Sequence, residues 1–443
     1  MPRLFGTDGV RGVANADLTP DLALALGRAA GAVLAPGGGE IVVGRDTRVS
    51  GPMLEGALVA GLCSAGVDVR CAGIITSPAV SWLTVDSGAR AGAMISASHN
   101  PIADNGIKFF SALGGKIAVD LEDEIESRME EPPSPRLRTG TNVGTAIVMP
   151  DAADRYVEHL VSTIDADLAG MRIVLDCAYG AAWEVGPRAF EDAGAEVIAM
   201  HAEPDGARIN VDCGSTSMKR IAQRVVEEEA ELGLAFDGDA DRVLAVDERG
   251  AVVDGDRILA LCALSLSDAG QLDGNVVVAT VMSNLGFRRA LEERGIEVLS
   301  APVGDKLVAE AMSARVAVLG GEQSGHIIFS KHAATGDGVL TGLQVASFLS
   351  ASEKKMSDAT HLYDPYPQVL INVEVGRRNN LEGSEQLWDD VRKAEAALGE
   401  TGRVLVRASG TEPVVRVMVE AVEAENARSI AQDLAASVVR HLT

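Results

Sequence analysis

The stretch Leu232-Gly233-Leu234-Ala235-Phe236-Asp237-Gly238-Asp239-Ala240-Asp241-Arg242 sets an apolar run directly before a glycine-containing turn with carboxylates at alternate positions. An apolar run this short reads as a strand buried on both faces, the kind found in sheets covered by helices. The same pattern recurs on either side. Val/Ile-rich runs at 40–43, 93–95, 172–175, 196–200, 276–281 and 316–319 mostly stop at Gly, Asp or Ser and precede longer Ala/Leu-rich segments. That alternation predicts β-α-β units as far as about residue 350.

Two proline-bearing stretches interrupt the pattern. Residues 130–138, EEPPSPRLR, read as a loop, and so does the polar segment 352–367 with Asp364-Pro365 and Tyr366-Pro367. Beyond it, 369–375, 404–406 and 414–419 read as strands. A closing helix places Ala427, Ile430, Ala431, Leu434 and Val438 on one face, so the chain is expected to end in a small α+β domain.

At 443 residues the chain exceeds one compact domain and suits three or four. Lys+Arg 39 against Asp+Glu 64 gives 39 − 64 = −25, which disfavours phosphodiester backbones and a basic anchor on anionic lipid. No nucleic acid and no membrane is therefore expected as a partner. The opening Met1-Pro2-Arg3-Leu4-Phe5-Gly6 lacks the apolar region of a secretory signal, and no uncharged run is long enough to span a bilayer. The five cysteines are odd in number and contain no C-x-x-C pair, which reads as reduced thiols in a cytoplasmic protein.

Four segments carry chemistry. Asp237, Asp239 and Asp241 on one tight turn would converge on a hard cation, Mg²⁺ or Ca²⁺. An EF-hand loop is a rival, with Glu248 at its twelfth position, but Arg242 stands where that loop needs glycine. Three solvated surface aspartates are the plainer alternative. Mutual repulsion among close carboxylates favours the cation, and Mg²⁺ is the expected ion. The segment Ser96-Ala97-Ser98-His99-Asn100-Pro101 follows the run 93–95, where α/β folds place ligands. Ser98 is then a nucleophile or merely the cap of a following helix, and Lys108 either neutralises a phosphate or is a solvated charge. Arg407-Ala408-Ser409-Gly410-Thr411-Glu412-Pro413 with Arg416 supplies hydroxyls, glycine N–H groups and guanidinium forks, the set a phosphate monoester needs, or is an ordinary loop between strands. Gly320-Gly321-Glu322-Gln323-Ser324-Gly325-His326 frames a carboxylate able to take two vicinal sugar hydroxyls, or a helix cap. Arg11, Arg45 and Arg48 fit a phosphate-lined cleft, or surface ion pairs.

In this order and spacing the four motifs resemble the α-D-phosphohexomutase superfamily over essentially the whole chain. Within it, the opening Leu4-Phe5-Gly6-Thr7-Asp8-Gly9-Val10-Arg11-Gly12, the Ser98 segment, Gln323, and Ile209-Asn210 with Cys213-Gly214-Ser215-Thr216 are similar to the bacterial branch acting on phosphorylated glucosamine. The resemblance implies an α/β fold of three related domains around a central cleft, at 1–153, 154–252 and 253–366, plus a smaller C-terminal α+β domain at 367–443. It implies that Ser98 carries the phosphoryl group. Asp237, Asp239 and Asp241 would hold one Mg²⁺, a phosphate oxygen on Ser98 completing the shell. Glu322 and Ser324 would contact the sugar, while Arg407, Ser409, Gly410, Thr411 and Arg416 would clamp phosphate. Arg11, His99, Lys108, Arg242 and His326 would line the phosphoserine or assist proton transfer.

The implied reaction interconverts glucosamine 6-phosphate and glucosamine 1-phosphate, with a hexose or glucosamine 1,6-bisphosphate as activator, and feeds UDP-N-acetylglucosamine and cell-wall synthesis. The resemblance leaves monomer and homodimer both open. A phosphomannomutase or phosphoglucomutase would share every catalytic motif, and a Mg²⁺-dependent phosphosugar phosphatase or a non-catalytic sensor are rivals of other classes. Two departures stand out: Ala408 replaces a proline common in the clamp, and Lys306 stands where arginine is more usual.

Overall fold

The computed structural model describes residues 3–130, 138–375, 381–408 and 414–442. Packing divides the chain into two units, Met1–Val281 with Ile296–His361, and Met282–Gly295 with Leu362–Thr443.

The first unit holds three sheets. One contains β1 (Val10–Val13), β2 (Glu40–Arg45), β3 (Asp68–Ile74), β4 (Ala91–Ile95), β5 (Asp104–Ser111) and β6 (Ala146–Val148), in the order β1-β5-β4-β2-β3-β6. Here β5 runs against both of its neighbours, while β3 is parallel to β2 and β6, and β2 to β4. The next has β7 (Arg172–Asp176), β8 (Glu196–Met200), β9 (Leu232–Phe236), β10 (Val243–Asp247) and β11 (Val252–Val253), ordered β11-β10-β9-β7-β8. The third has β12 (Val276–Thr280), β13 (Glu297–Ala301), β14 (Leu319–Gly321) and β15 (Ile327–Phe329), ordered β13-β12-β14-β15.

The three sheets share one device. A buried parallel strand (β4, β9 or β14) turns directly into an antiparallel partner (β5, β10 or β15). The three connecting turns carry Ser98, the aspartate triplet and Glu322. The serine motif therefore leads into a strand and caps no helix.

Helices α1 (Pro20–Leu34), α2 (Gly51–Ser64), α3 (Ser77–Asp86) and α4 (Val119–Glu130) accompany the first sheet. A Cβ on Gly27 would lie 2.3 Å from the Leu58 carbonyl, and one on Gly61 would lie 2.3 Å from that of Leu24. Glycine at both points lets α1 and α2 meet backbone to backbone over Leu26, Leu54, Leu58 and Leu62, all fully buried. The remaining helices of this unit are α5 (Ala152–Ser162), α6 (Val185–Asp192), α7 (Lys219–Glu227), α8 (Gly255–Asp268), α10 (Asp305–Arg315), α11 (Gly338–Ser352) and α12 (Met356–Ala359).

One expected strand starts late. Val316 ends α10 in the left-handed region at φ 54° and is exposed, and pairing begins only at Leu319. Of the apolar run 316–319, Val316 is thus the helix cap, Leu319 the first strand residue, and the two between them the connection.

The second unit contains an antiparallel sheet of β16 (Gln368–Glu374), β17 (Gly402–Ala408) and β18 (Val414–Ala421), with β18 central. Helices α13 (Glu385–Leu398) and α14 (Ala424–Leu442) cover it, and α14 buries Ala427, Ala431, Leu434 and Val438 as the sequence pattern requires. It also takes α9 (Leu285–Glu292), which lies between β12 and β13 in sequence. All five cysteines are free, and no described helix is long and apolar enough to cross a membrane.

Candidate active site

Ser98 lies just past β4, buried, with φ 52°. A non-glycine residue there is strained and persists only when its surroundings hold it. The fully buried Arg48 provides the hold. Its Nε donates to Asp46 Oδ2 at 3.0 Å, Nη1 to the Pro101 and Asp104 carbonyls at 2.6 and 2.9 Å, and Nη2 to the Ser98 and Asn100 carbonyls at 2.8 Å each. Asp46 Oδ2 also accepts from Ser96 Oγ at 2.6 Å, and Ser96 Oγ accepts from the Ser98 N–H at 2.9 Å. Arg48 is therefore the pin of the serine loop and no cleft arginine. Arg45 likewise pairs with Glu55 at 3.0 Å. Arg11 also reaches the serine loop, its Nη1 3.4 Å from Asn100 Oδ1 and its Nη2 3.1 Å from Asp8 Oδ2.

The aspartate turn meets this loop directly. Ser98 Oγ donates to Asp237 Oδ2. A Cβ on Gly238 would lie 2.6 Å from the Ser98 carbonyl, so only glycine permits the approach. Asn210 Nδ2 donates to that same carbonyl at 2.9 Å, tying the Ile209-Asn210 segment to the serine. Asp239 accepts from Ser77 Oγ and, at 2.7 Å, from Lys108 Nζ, while Lys108 stands 3.5 Å from Asp241. Arg242 donates its backbone N–H to Asp237 Oδ1 at 3.2 Å.

Ligand atoms of Asp237, Asp239 and Asp241 lie within 4.8 Å of one another, and all three side chains are buried. Burial, and then the charges of Asp241 and Asp239, push the Asp237 carboxyl well above the usual carboxylate range. Burial alone would raise Asp241 too, but Lys108, His326 and Arg242 outweigh it and hold it well below that range. Burial works against the Lys108 ammonium, yet Asp239, Asp241 and Asp8 keep it charged beyond its ordinary value. Asp239 Oδ1 and Asp241 Oδ1 are buried without a hydrogen-bond partner among the described residues. Unsatisfied carboxylate oxygens facing a repulsive neighbour fit a hard divalent cation. The aspartates and Ser98 are the residues that would hold it.

Around this centre, His99 Nδ1 stands 3.2 Å from Ser98 Oγ, and burial, then Arg242 and Arg11, lower the pKa of its imidazole. His326 is buried behind Asp241. Its Nε2 accepts the Gly336 N–H at 3.0 Å, which leaves Nδ1 as the protonated nitrogen, 3.8 Å from Asp241 Oδ2. In that setting it orients a carboxylate. Glu322 accepts from the Gly304 N–H at 3.0 Å and from Ser324 Oγ at 3.2 Å. Its loop joins the aspartate turn through Val243 N–H to the Gly325 carbonyl, 3.1 Å. Gln323 turns its amide to Asp254 Oδ2 at 3.3 Å.

In the other unit, Arg407 and Arg416 sit directly opposite each other on β17 and β18. Ser409, Gly410 and Thr411 lie outside the described residues. Sequence reading missed Lys116, whose Nζ binds Asp8 and, at 2.5 Å, Asp305. A lone lysine after a glycine pair carries no signal for such a contact.

The chain is similar to known proteins along nearly its whole length. Models of the phosphoglucomutase/phosphomannomutase family match four successive segments: α/β/α domain I at residues 2–136, domain II at 154–250, domain III at 254–366 and the C-terminal domain at 370–437. The phosphoglucosamine mutase of Rhodococcus opacus is 50% identical over 442 residues, 99% of each chain, and that of Streptomyces griseus is 52% identical over 444 residues, 98% of each. A solved phosphoglucomutase/phosphomannomutase family protein from Burkholderia thailandensis superposes with TM-score 0.84 at 28% identity, covering 99% of this chain and 97% of that one. The N-acetylphosphoglucosamine mutase of Aspergillus fumigatus, solved with GlcNAc-6P and magnesium, shares the fold at TM-score 0.72 and 19% identity, covering 99% and 96%. The chain belongs to the phosphoglucomutase/phosphomannomutase family, the α-D-phosphohexomutases, and is a mutase of the isomerase class.

Proposed function

We propose that the chain interconverts glucosamine 6-phosphate and glucosamine 1-phosphate through a phosphorylated Ser98 and a bisphosphorylated sugar, in the cytoplasm. The four motifs would then serve domains spanning 1–153, 154–252, 253–366 and 367–443. The observation that carries the reading is the Ser98 hydroxyl bonded to Asp237 within a buried three-carboxylate cluster beside Lys108. Roughly half-identical relatives named for this reaction supply the choice of sugar.

In the first half-reaction the bond between phosphorus and Ser98 Oγ breaks as one forms to the sugar's 1-oxygen, whose proton leaves. In the second, Ser98 Oγ takes the phosphoryl group from the 6-oxygen, which regains a proton. Mg²⁺ bound by Asp237, Asp239 and Asp241 would offset charge on the transferring group. The chain's own residues do the rest by position. Arg48 holds Ser98 in its strained conformer, and Lys108 keeps a fixed positive charge beside the carboxylates. Glu322 and Ser324 present acceptors to the sugar hydroxyls. Arg407 and Arg416, with Ser409, Gly410 and Thr411 of the same motif, grip the phosphate not being transferred.

Phosphorus NMR of the protein with Mg²⁺, a catalytic amount of hexose bisphosphate and glucosamine 6-phosphate tests this. Growth of a glucosamine 1-phosphate signal without free phosphate supports the proposal. Stoichiometric inorganic phosphate would mean a phosphatase. Faster turnover of glucose or mannose 6-phosphate would reassign the sugar. Ser98→Ala should abolish turnover while leaving Mg²⁺ binding largely intact.

A further inference from the structure

Lys116 sits where two distant segments meet. It follows the hairpin after β5, paired through an isolated bridge to Phe110, and its side chain is only 11% exposed. Its ammonium bridges Asp8 and Asp305, residues nearly three hundred apart in sequence. Each carboxylate is one step from a residue that reads substrate in the mechanism above. Asp8 Oδ2 holds Arg11 Nη2 at 3.1 Å. Asp305 follows Gly304, whose N–H is bonded to Glu322 Oε1 at 3.0 Å.

The neighbouring residues form a second contact of opposite polarity. Lys306 Nζ donates to the Ile117 carbonyl at 2.8 Å and stands 3.3 Å from Glu122. Two consecutive residues at the start of α10, one acidic and one basic, thus grip two consecutive residues after β5. The departure from arginine at 306 now has a setting: a single point charge is enough for one carbonyl and one carboxylate.

We infer that Lys116 is a positioning residue for the mutase reaction, fixing the spacing between Arg11, which would face a phosphate, and Glu322, which would face the sugar ring. The inference rests on the assignment of Arg11 and Glu322 to the substrate. A substrate that must be held in two opposite orientations needs its phosphate and hydroxyl contacts at one fixed separation. A shift on the order of 1 Å in such a contact is worth about 10²-fold in rate.

The test uses the full-length Mg²⁺-loaded protein carrying Lys116→Met, Lys116→Arg, Asp305→Asn and the double change Lys116→Met with Asp305→Asn. Expected is a loss of about 10- to 100-fold in kcat/KM for Lys116→Met, a similar loss for Asp305→Asn, and a double variant no worse than the more impaired single. Lys116→Arg should recover most of the activity. Thermal unfolding and Mg²⁺ affinity, titrated with the metal alone, should match wild type.

Unchanged kcat/KM in Lys116→Met overturns the inference, as do losses that add in the double variant. A loss that follows a lowered unfolding temperature, with no rescue by arginine, also overturns it, because that is what a merely structural lysine would give. Absence of turnover on any hexose phosphate by the wild-type protein would instead overturn the functional reading on which the inference stands.

Discussion

Arg48→Lys keeps the charge and removes the fork, and its effect follows from the count of acceptors. The guanidinium serves Asp46 Oδ2 and the carbonyls of Ser98, Asn100, Pro101 and Asp104. A lysine ammonium has three donors at one point, so at least two of these buried acceptors lose their bond to residue 48. At about 1.5–3 kcal/mol for each lost hydrogen bond from a charged donor, the variant should be destabilised by roughly 3–6 kcal/mol. That matches or exceeds the strain of about 1–3 kcal/mol stored in a non-glycine residue at positive φ, so the serine loop should relax. The Ser98 hydroxyl then leaves its register with the carboxylates, and kcat should fall about 10²-fold. Urea unfolding at constant slope measures the first quantity. The second is kcat at saturating phosphosugar and at a temperature where the variant is native by circular dichroism. A variant with wild-type kcat and an unshifted midpoint would refute the claim that Arg48 holds the loop. A shifted midpoint with wild-type kcat would refute the link from the strained conformer to turnover.

The other expectations are shorter. Asp237 has a folded pKa raised above its ordinary 3.8, so it favours folding at low pH and loses that contribution as pH rises towards the folded value. Asp237→Asn should therefore flatten the decline in stability of the metal-free protein with rising pH while weakening Mg²⁺ binding, checked by urea midpoints in chelator across a pH series. Gly336→Ala would place a Cβ 2.5 Å from the His326 ring. It should destabilise by about 1–3 kcal/mol and weaken Mg²⁺ affinity about tenfold or more through Asp241, readable by calorimetric titration. Arg407→Met should increase KM for the phosphosugar about 10- to 100-fold, read from steady-state kinetics.

Local pattern carried the sequence reading a long way. The run at Leu232–Phe236 and the turn after it foretold a buried strand and a carboxylate cluster, because both are written in adjacent residues. Ser98 was legible as the residue after a strand, but not its strained backbone, since nothing in Ser-Ala-Ser-His encodes φ 52°. Arg48 was legible only as a charge. Its role depends on carbonyls at 98, 100, 101 and 104, whose position no local pattern specifies. Gln323 was legible as a mark of the family branch, while its amide's partner, Asp254, lies sixty-nine residues upstream and is set by the fold. Lys116 and Asp305 found each other across a gap that only the folded chain closes.

The placement of α9 bears on how such a chain could be assembled from parts. Leu285 donates its N–H to Glu420 on β18 at 3.2 Å, Asn284 Nδ2 donates to the Tyr366 carbonyl at 3.0 Å, and Arg403 Nη2 reaches the Ser283 carbonyl at 2.5 Å. The C-terminal unit therefore includes a helix encoded well upstream, between two strands of another sheet. A gene fragment beginning after residue 361 would encode an incomplete body, with Glu420 fully buried and missing its Leu285 donor. Recombination that exchanged this last module between relatives would succeed only if 282–295 travelled with it, so the third and fourth segments are constrained to be inherited together.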